Sequence, residues 1–317
     1  MFKKIIYLLF FALSLFVVGI IFVKQMFLPV STDKTQVNFL ITKGSSVSLI
    51  GNDLYKQGFI KNPIVFKFYV QLTGSQNKIQ AGEFSLSKNL TLIEILETLK
   101  KGPAEIWVTI PEGLRREEIS QKFASSLSKN SDFMKEFNSL TIGKEGYLFP
   151  DTYLFSKSAS SSAIVAKMLS TFDKKVSDVT LEQLIMASLI ERETLGDDEK
   201  PIVAGILYKR IDAGWPLQVD ATVQYAKANI ECKNKIIDCK YWGDVFNLDK
   251  EINSTYNTYK NLGLPPLPIA NPGLSSINAS INPEKSDFWY YIHDGKGVIH
   301  YAKNLEEHNA NVRKYLN

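Results

Sequence analysis

Apolar and polar positions divide this chain into three stretches with different periods. Residues 5–23, "IIYLLFFALSLFVVGIIFV", carry no charge and lie between Lys3-Lys4 and Lys24. As a helix, nineteen residues reach about 28 Å, close to the hydrocarbon thickness of a bilayer. No small-x-small cleavage pattern follows Gly19, so the stretch reads as an uncleaved transmembrane helix rather than a signal peptide. Lys3 and Lys4 place the short tail, residues 1–4, in the cytoplasm. No second stretch of comparable apolarity occurs, so the rest of the chain is expected outside the cytoplasm.

Beyond a linker at 24–36, the period changes. "VNFLITKG" has strand composition, and Val47, Leu49, Ile50, Leu54 and Tyr55 have helical spacing closed by Gly58. "NPIVFKFYVQLTG" predicts a second helix, with Pro63 in its first turn and Gly74 at its end. "KIQAGEFSLS" predicts a strand, and "TLIEILETLKKG" a third helix that Thr91 and Glu94 close as a capping box. Residues 37–102 therefore form a small α+β module. Its order and its "KGSSVSLIGNDLYKQGFI" stretch resemble a LysM-like module, a class that binds the N-acetylated sugars of cell-wall glycan.

Residues 103–317 make a larger mixed α+β domain. "IWVTIPEGLRREEISQKFASSL" predicts strand, turn and helix, and "SSSAIVAKMLSTFDKKV" an amphipathic helix. Thr180 and Gln183 match a capping box at the start of "LEQLIMASLIERETLG", which is apolar almost all round and therefore a buried helix. It carries two acids near its end, Glu191 and Glu193, which point about 200° apart. A carboxyl among apolar neighbours resists ionisation. Protonated near neutrality, it can give its proton to a leaving group, which glycosidic cleavage needs. Each acid also has a structural reading: Glu191 as an ion-pair or backbone N–H acceptor, Glu193 as a cap or a fraying end. Periodicity does not choose between them.

"DDEKPIVAGILYKRIDAGW" predicts the next helix, capped by Asp197 or Asp198. Gln218 and Asp220 alternate with apolar residues, as on a strand or loop edge, and offer hydrogen bonds to sugar hydroxyls. The loop "NSTYNTYKNLGLPPLPIANPG" sets Tyr256, Asn257, Thr258 and Tyr259 beside a Pro/Gly-rich stretch. Aromatic faces next to amides suit a pyranose, and stiff loops of this kind line clefts.

Composition narrows the alternatives. The chain has 317 residues, 45% of them hydrophobic, and a net charge of +4 with both signs interspersed. No basic run points to nucleic acid. His293, His300 and His308 form no metal-binding motif, and no cofactor is implied. A Gly-x-Ser-x-Gly elbow is lacking. Outside the cytoplasm, Cys232 and Cys239 are a candidate disulfide.

"EGYLFPDTY", "MASLIERET", "LQVDATVQYA", "STYNTYKNLGLPPLPIANPG" and "GKGVIHYAKNLEEHN", in this order and after a single anchor, closely resemble the endolytic murein transglycosylases, the YceG-like family. Thr255 stands where that family often has proline, and residues 229–249 look individual to this chain. The resemblance implies a membrane-anchored lyase that cuts nascent peptidoglycan strands internally, near cell-wall synthases, and leaves 1,6-anhydro ends. It implies Glu193 as the catalytic acid and Glu191 as a supporting residue. A catalytically inactive glycan-binding scaffold of the wall-synthesis machinery is the alternative of a different class.

Overall fold

The computed structural model describes residues 17, 19, 21–103, 105–157, 159–233 and 239–316. The 5–23 helix expected from sequence lies outside the described residues except for 17, 19 and 21–23; residues 21–27 are helical. Among the described residues no helix is long and apolar enough to cross a membrane. The chain divides into two units: one holds the residues up to Trp107 with Leu154–Lys157, the other Val108–Tyr153 with Ser158–Asn317.

In the first unit, β1 (Val37–Ile41), α1 (Val47–Lys56), α2 (Pro63–Leu72), β2 (Gly82–Leu86) and α3 (Leu92–Lys101) follow one another. β1 and β2 pair antiparallel from Val37 opposite Leu86 to Ile41 opposite Gly82. Alternation turns Phe39, Ile41, Phe84 and Leu86 into one core with Leu54, Phe66, Val70, Ile95 and Leu99 of the helices. Local chemistry sets the helix starts. Ser46 accepts the N–H of Leu49, Asn62 those of Ile64 and Val65, and Thr91 and Glu94 cap reciprocally. The strand order is β1-β2-β3-β4, with β3 at Glu105–Thr109 and β4 at Thr152–Ser156.

The second unit is mostly helical: α4 (Arg116–Leu127), α5 (Ser131–Leu140), α6 (Ser161–Lys175), α7 (Leu181–Glu193), α8 (Lys200–Asp212), α9 (Asp220–Glu231) and α10 (Leu274–Ile281). An antiparallel hairpin, β5 (Tyr290–His293) and β6 (Ile299–Ala302), and α11 (Leu305–Tyr315) complete it. The acid-bearing helix is α7, and Leu184 to Ile190 are buried without interruption. Its capping box joins Thr180 and Gln183. Met186, Leu189 and Ile190 pack with Val203, Ala204 and Leu207 of α8 and with Ala279 of α10. Gly205 permits a close approach: a Cβ there would overlap the carbonyl oxygen of Glu284, whose N–H donates to Pro201 O at 2.9 Å.

Two local expectations change. α8 begins at Lys200 with Glu199 as N-cap, not Asp197 or Asp198. Asp197 instead pairs with Lys200 at 2.9 Å. Of the two placements expected for Gln218 and Asp220, a strand or a loop edge, Gln218 takes the loop and Asp220 takes neither. Gln218 adopts a left-handed backbone (φ 53°), and Asp220 opens α9, where a carboxylate suits the positive helix end. The alternation around them spans only a few residues, too short to separate a turn followed by a helix from an edge strand.

Asn271, fully buried, ties distant segments together. Its Oδ1 accepts the N–H groups of Gly146 and Leu148, each at 2.9 Å, and its Nδ2 donates to Leu114 O and to Glu145 Oε1. Cys232 and Cys239 are joined as a disulfide with their Cα atoms 5.9 Å apart, packed against Ala228 and Tyr241.

Candidate active site

α7 delivers its two acids to different surroundings, as their angular separation requires. Glu193, the last helical residue, is partly accessible at its edge, while its carboxyl group is enclosed by protein. The Tyr291 hydroxyl donates to its Oε2 at 2.7 Å. Burial raises the Glu193 pKa above the ordinary carboxyl value; the Tyr291 hydrogen bond opposes this, Asp220 adds to it, and Arg210 and His293 oppose it more weakly. The net direction is upward, so the proton is held further towards neutral pH. Burial, with Glu193 beside it, pushes the Tyr291 hydroxyl well above its usual range, which keeps it a donor.

The groups around Glu193 are fixed by their own partners. Arg210 of α8 donates through Nη1 to Leu217 O at 2.6 Å and through Nε and Nη2 to Trp289 O, linking the loop before α9 to the start of the hairpin. His293, two residues beyond Tyr291 on β5, lies 3.0 Å from Glu199 Oε2. Asp220 accepts the Tyr259 hydroxyl at 2.6 Å and lies 3.9 Å from Lys250. Burial raises the Tyr259 hydroxyl too, so it stays a donor to Asp220.

Glu191 faces the N-terminus of α10. Its Oε2 accepts the Gly273 N–H at 3.1 Å and the Ser276 hydroxyl at 2.7 Å, with Lys200 Nζ at 3.7 Å. A carboxylate at that position satisfies orphan N–H groups and suits the helix dipole. A Cβ at Gly273 would meet only the carboxylate end of Glu112, an exposed side chain free to turn aside. Glu191→Ala is expected to lower unfolding stability by about 2–3 kcal/mol, because two hydrogen bonds to a charged group are lost and buried Lys200 loses one of its carboxylate neighbours, keeping Asp197 and the more distant charge of Glu112. Denaturant titration checks this; a loss below about 0.5 kcal/mol, the range of ordinary surface changes, would contradict it.

The aromatic–amide loop divides likewise. Asn257 is fully buried, with Nδ2 donating to Lys250 O and Ile252 O and Oδ1 accepting the Tyr259 N–H. Thr258 is buried and bonded to Val219 N and Thr222 Oγ1. These two side chains shape the loop and are not open to a sugar. Tyr256 packs its ring 4.7 Å from that of Tyr225. Tyr259, Asp220 and exposed Gln218 keep accessible surface. His300 bonds Asp294 at 3.0 Å and stacks on Tyr315, inside its own hairpin and the adjacent helix.

Sequence reasoning missed Tyr291, Arg210 and His293. A signal for Tyr291 and His293 was present: "YYIHDGKGVIHYA" has strand alternation about an Asp-Gly turn, which sets both residues on one face. A cavity of about 840 Å³ lies elsewhere, lined by Arg115, Arg116, Lys135, Tyr225, Asn229 and Tyr241 among others. The case for Glu193 thus rests on the surroundings of its carboxyl group and not on cavity size. Among the described residues no group of His, Cys, Asp and Glu could hold a metal ion.

A mixed α+β protein with one enclosed acid at a buried helix end, held by a tyrosine from a hairpin, is the class this geometry defines. The sequence profile of the YceG-like family matches residues 39–314, and the chain belongs to that family. An endolytic murein transglycosylase of Bacillus subtilis (strain 168) is 33% identical over 331 residues, covering 92% of this chain and 89% of that protein. One from Streptococcus pneumoniae serotype 2 (strain D39) is 30% identical over 348 residues, covering 94% of this chain. The chain spans 62% of the length of that pneumococcal relative. The crystal structure of a YceG-like protein from Listeria monocytogenes superposes with a TM-score of 0.54 at 29% identity, covering 87% of this chain and 99% of the other.

Proposed function

We propose that this chain is an endolytic lytic transglycosylase of peptidoglycan, a carbon–oxygen lyase that cuts the bond between N-acetylmuramic acid and N-acetylglucosamine. The observation that carries the reading is Glu193, enclosed and hydrogen-bonded by Tyr291. Relatives named endolytic murein transglycosylases support it.

In this reading Tyr291 occupies Oε2, so the acidic proton sits on Oε1. Glu193 gives it to the glycosidic oxygen as the C1–O bond breaks and an oxocarbenium-like centre develops. Asp220, whose charge is felt at Glu193, supplies compensating negative potential. The Glu193 carboxylate, still receiving the Tyr291 hydrogen bond, then takes the proton of the muramic acid C6 hydroxyl. O6 closes on C1 and gives the 1,6-anhydro end. The attacking group is intramolecular, so neither water nor a second carboxylate nucleophile takes part.

The same proposal places the chain in the cytoplasmic membrane by residues 5–23, with its N-terminus in the cytoplasm and both folded units outside. The 37–102 module, LysM-like in order, adds glycan binding. Endolytic cuts beside cell-wall synthases would end the elongation of nascent strands.

Mass spectrometry of glycan strands incubated with the protein tests the reaction. Anhydro-muramic ends on internal fragments are expected. New reducing ends would replace this reading with hydrolysis, and intact strands with the binding scaffold.

A further inference from the structure

Most exposed apolar side chains of this protein are scattered, as on any soluble surface. α2 is different. Ile64, Phe68 and Leu72 recur every four residues and are 62%, 66% and 85% exposed. On a helix that spacing makes one continuous stripe about 12 Å long. The opposite face of the same helix buries Phe66 and Val70 in the core, so α2 is apolar on two sides. A helix in a small domain needs only one apolar face to fold. The second face requires a separate explanation.

The course of the chain supplies one. Phe27 packs edge-on against Tyr69 of α2, ring centroids 5.2 Å apart, and Lys61, just before α2, donates to the Gln25 carbonyl at 3.2 Å. Gln25 and Phe27 lie two and four residues past the uncharged 5–23 stretch. The point where that stretch ends is therefore pinned beside α2, within the same unit. Tyr69 lies about 100° around the helix from Phe68, so the incoming chain runs along the edge of the stripe without covering it. Lys67, exposed on the opposite edge, and Lys24 and Lys61 at the near end are placed as interfacial cations are.

We propose that the Ile64–Phe68–Leu72 face of α2 lies in the headgroup–acyl boundary of the bilayer that carries the chain, so that the first folded unit is seated on the membrane and does not hang from a free tether. The proposal rests on residues 5–23 being a membrane anchor. An interfacial helix has this form: an apolar face buried by several ångströms, with basic residues at its border.

The test uses the full chain reconstituted in vesicles of phosphatidylethanolamine and phosphatidylglycerol. A nitroxide is attached at Phe68→Cys or, as a control, at Ile93→Cys, which is 45% exposed on α3. Both native cysteines are paired and take no label. Relaxation by dissolved oxygen, which concentrates in lipid, is compared with relaxation by a water-soluble nickel chelate. Oxygen should dominate at position 68 and nickel at position 93. Nickel dominance at 68 in protein that co-floats with vesicles would overturn the seating and leave the anchor standing. Shelter from both reagents at 68 would mean that protein, from a second copy or from the chain itself, covers the stripe, and would overturn it as well. Failure to co-float would overturn the anchor and the seating together.

Discussion

Glu193→Gln lowers the rate of strand cleavage by about 10²–10⁴-fold while the protein stays folded, if the enclosed carboxyl is the proton donor. The amide keeps the size of the side chain and still accepts from Tyr291. It has no proton to give to the leaving oxygen. Near-normal release of anhydro fragments by the folded variant would remove Glu193 from the reaction. The pH profile gives a second view of the same group. In the proposed reaction Glu193 acts in its protonated form, so kcat/KM should fall as pH rises through its raised pKa. Tyr291→Phe removes a hydrogen bond that favours the charged form, so this alkaline limb should move to higher pH as the rate drops. A limb that stays in place would mean that the tyrosine does not act through Glu193.

The second large effect concerns stability. Glu145 is buried, with Oε1 receiving the Arg116 N–H and the Asn271 amide and Oε2 without a partner among the described residues. Burial, helped by nearby Glu117, raises its pKa from 4.5 to about 8. The folded state thus holds a proton that the unfolded chain releases. Its contribution to stability is complete below about pH 4.5 and is lost as pH rises through about 8. The swing is on the order of 5 kcal/mol. Glu145→Gln cannot ionise. Relative to wild type, its Tm should gain steadily between pH 5 and 8. Parallel melting curves for the two proteins across that range would contradict the assignment.

What the sequence made legible was local. Thr180 and Gln183 announced the start of α7, its apolar circumference announced burial, and Thr91 with Glu94 announced α3. Those signals lie within one or two turns of the residues they govern. The roles of Glu191 and Glu193 were not legible, because their partners come from far along the chain. Glu191 meets Gly273 and Ser276, and Glu193 meets Tyr291, 98 residues away. Asn257 and Thr258 looked available because amides and hydroxyls usually are exposed. Here the turns they sit in need those same atoms to satisfy buried backbone N–H and C=O groups. The start of α8 was misplaced for a related reason. Asp197, a good cap by composition, is engaged by Lys200, and the helix begins beyond it.

Asn271 carries one more consequence, for chemical ageing. Asparagine side chains decay slowly when the backbone nitrogen of the next residue attacks the carboxamide and ammonia leaves. That ring closure needs a nitrogen bearing a hydrogen. The next residue is Pro272, whose nitrogen has none. The amide that clasps Leu114, Glu145, Gly146 and Leu148 is therefore shielded from this route to wear by its own neighbour.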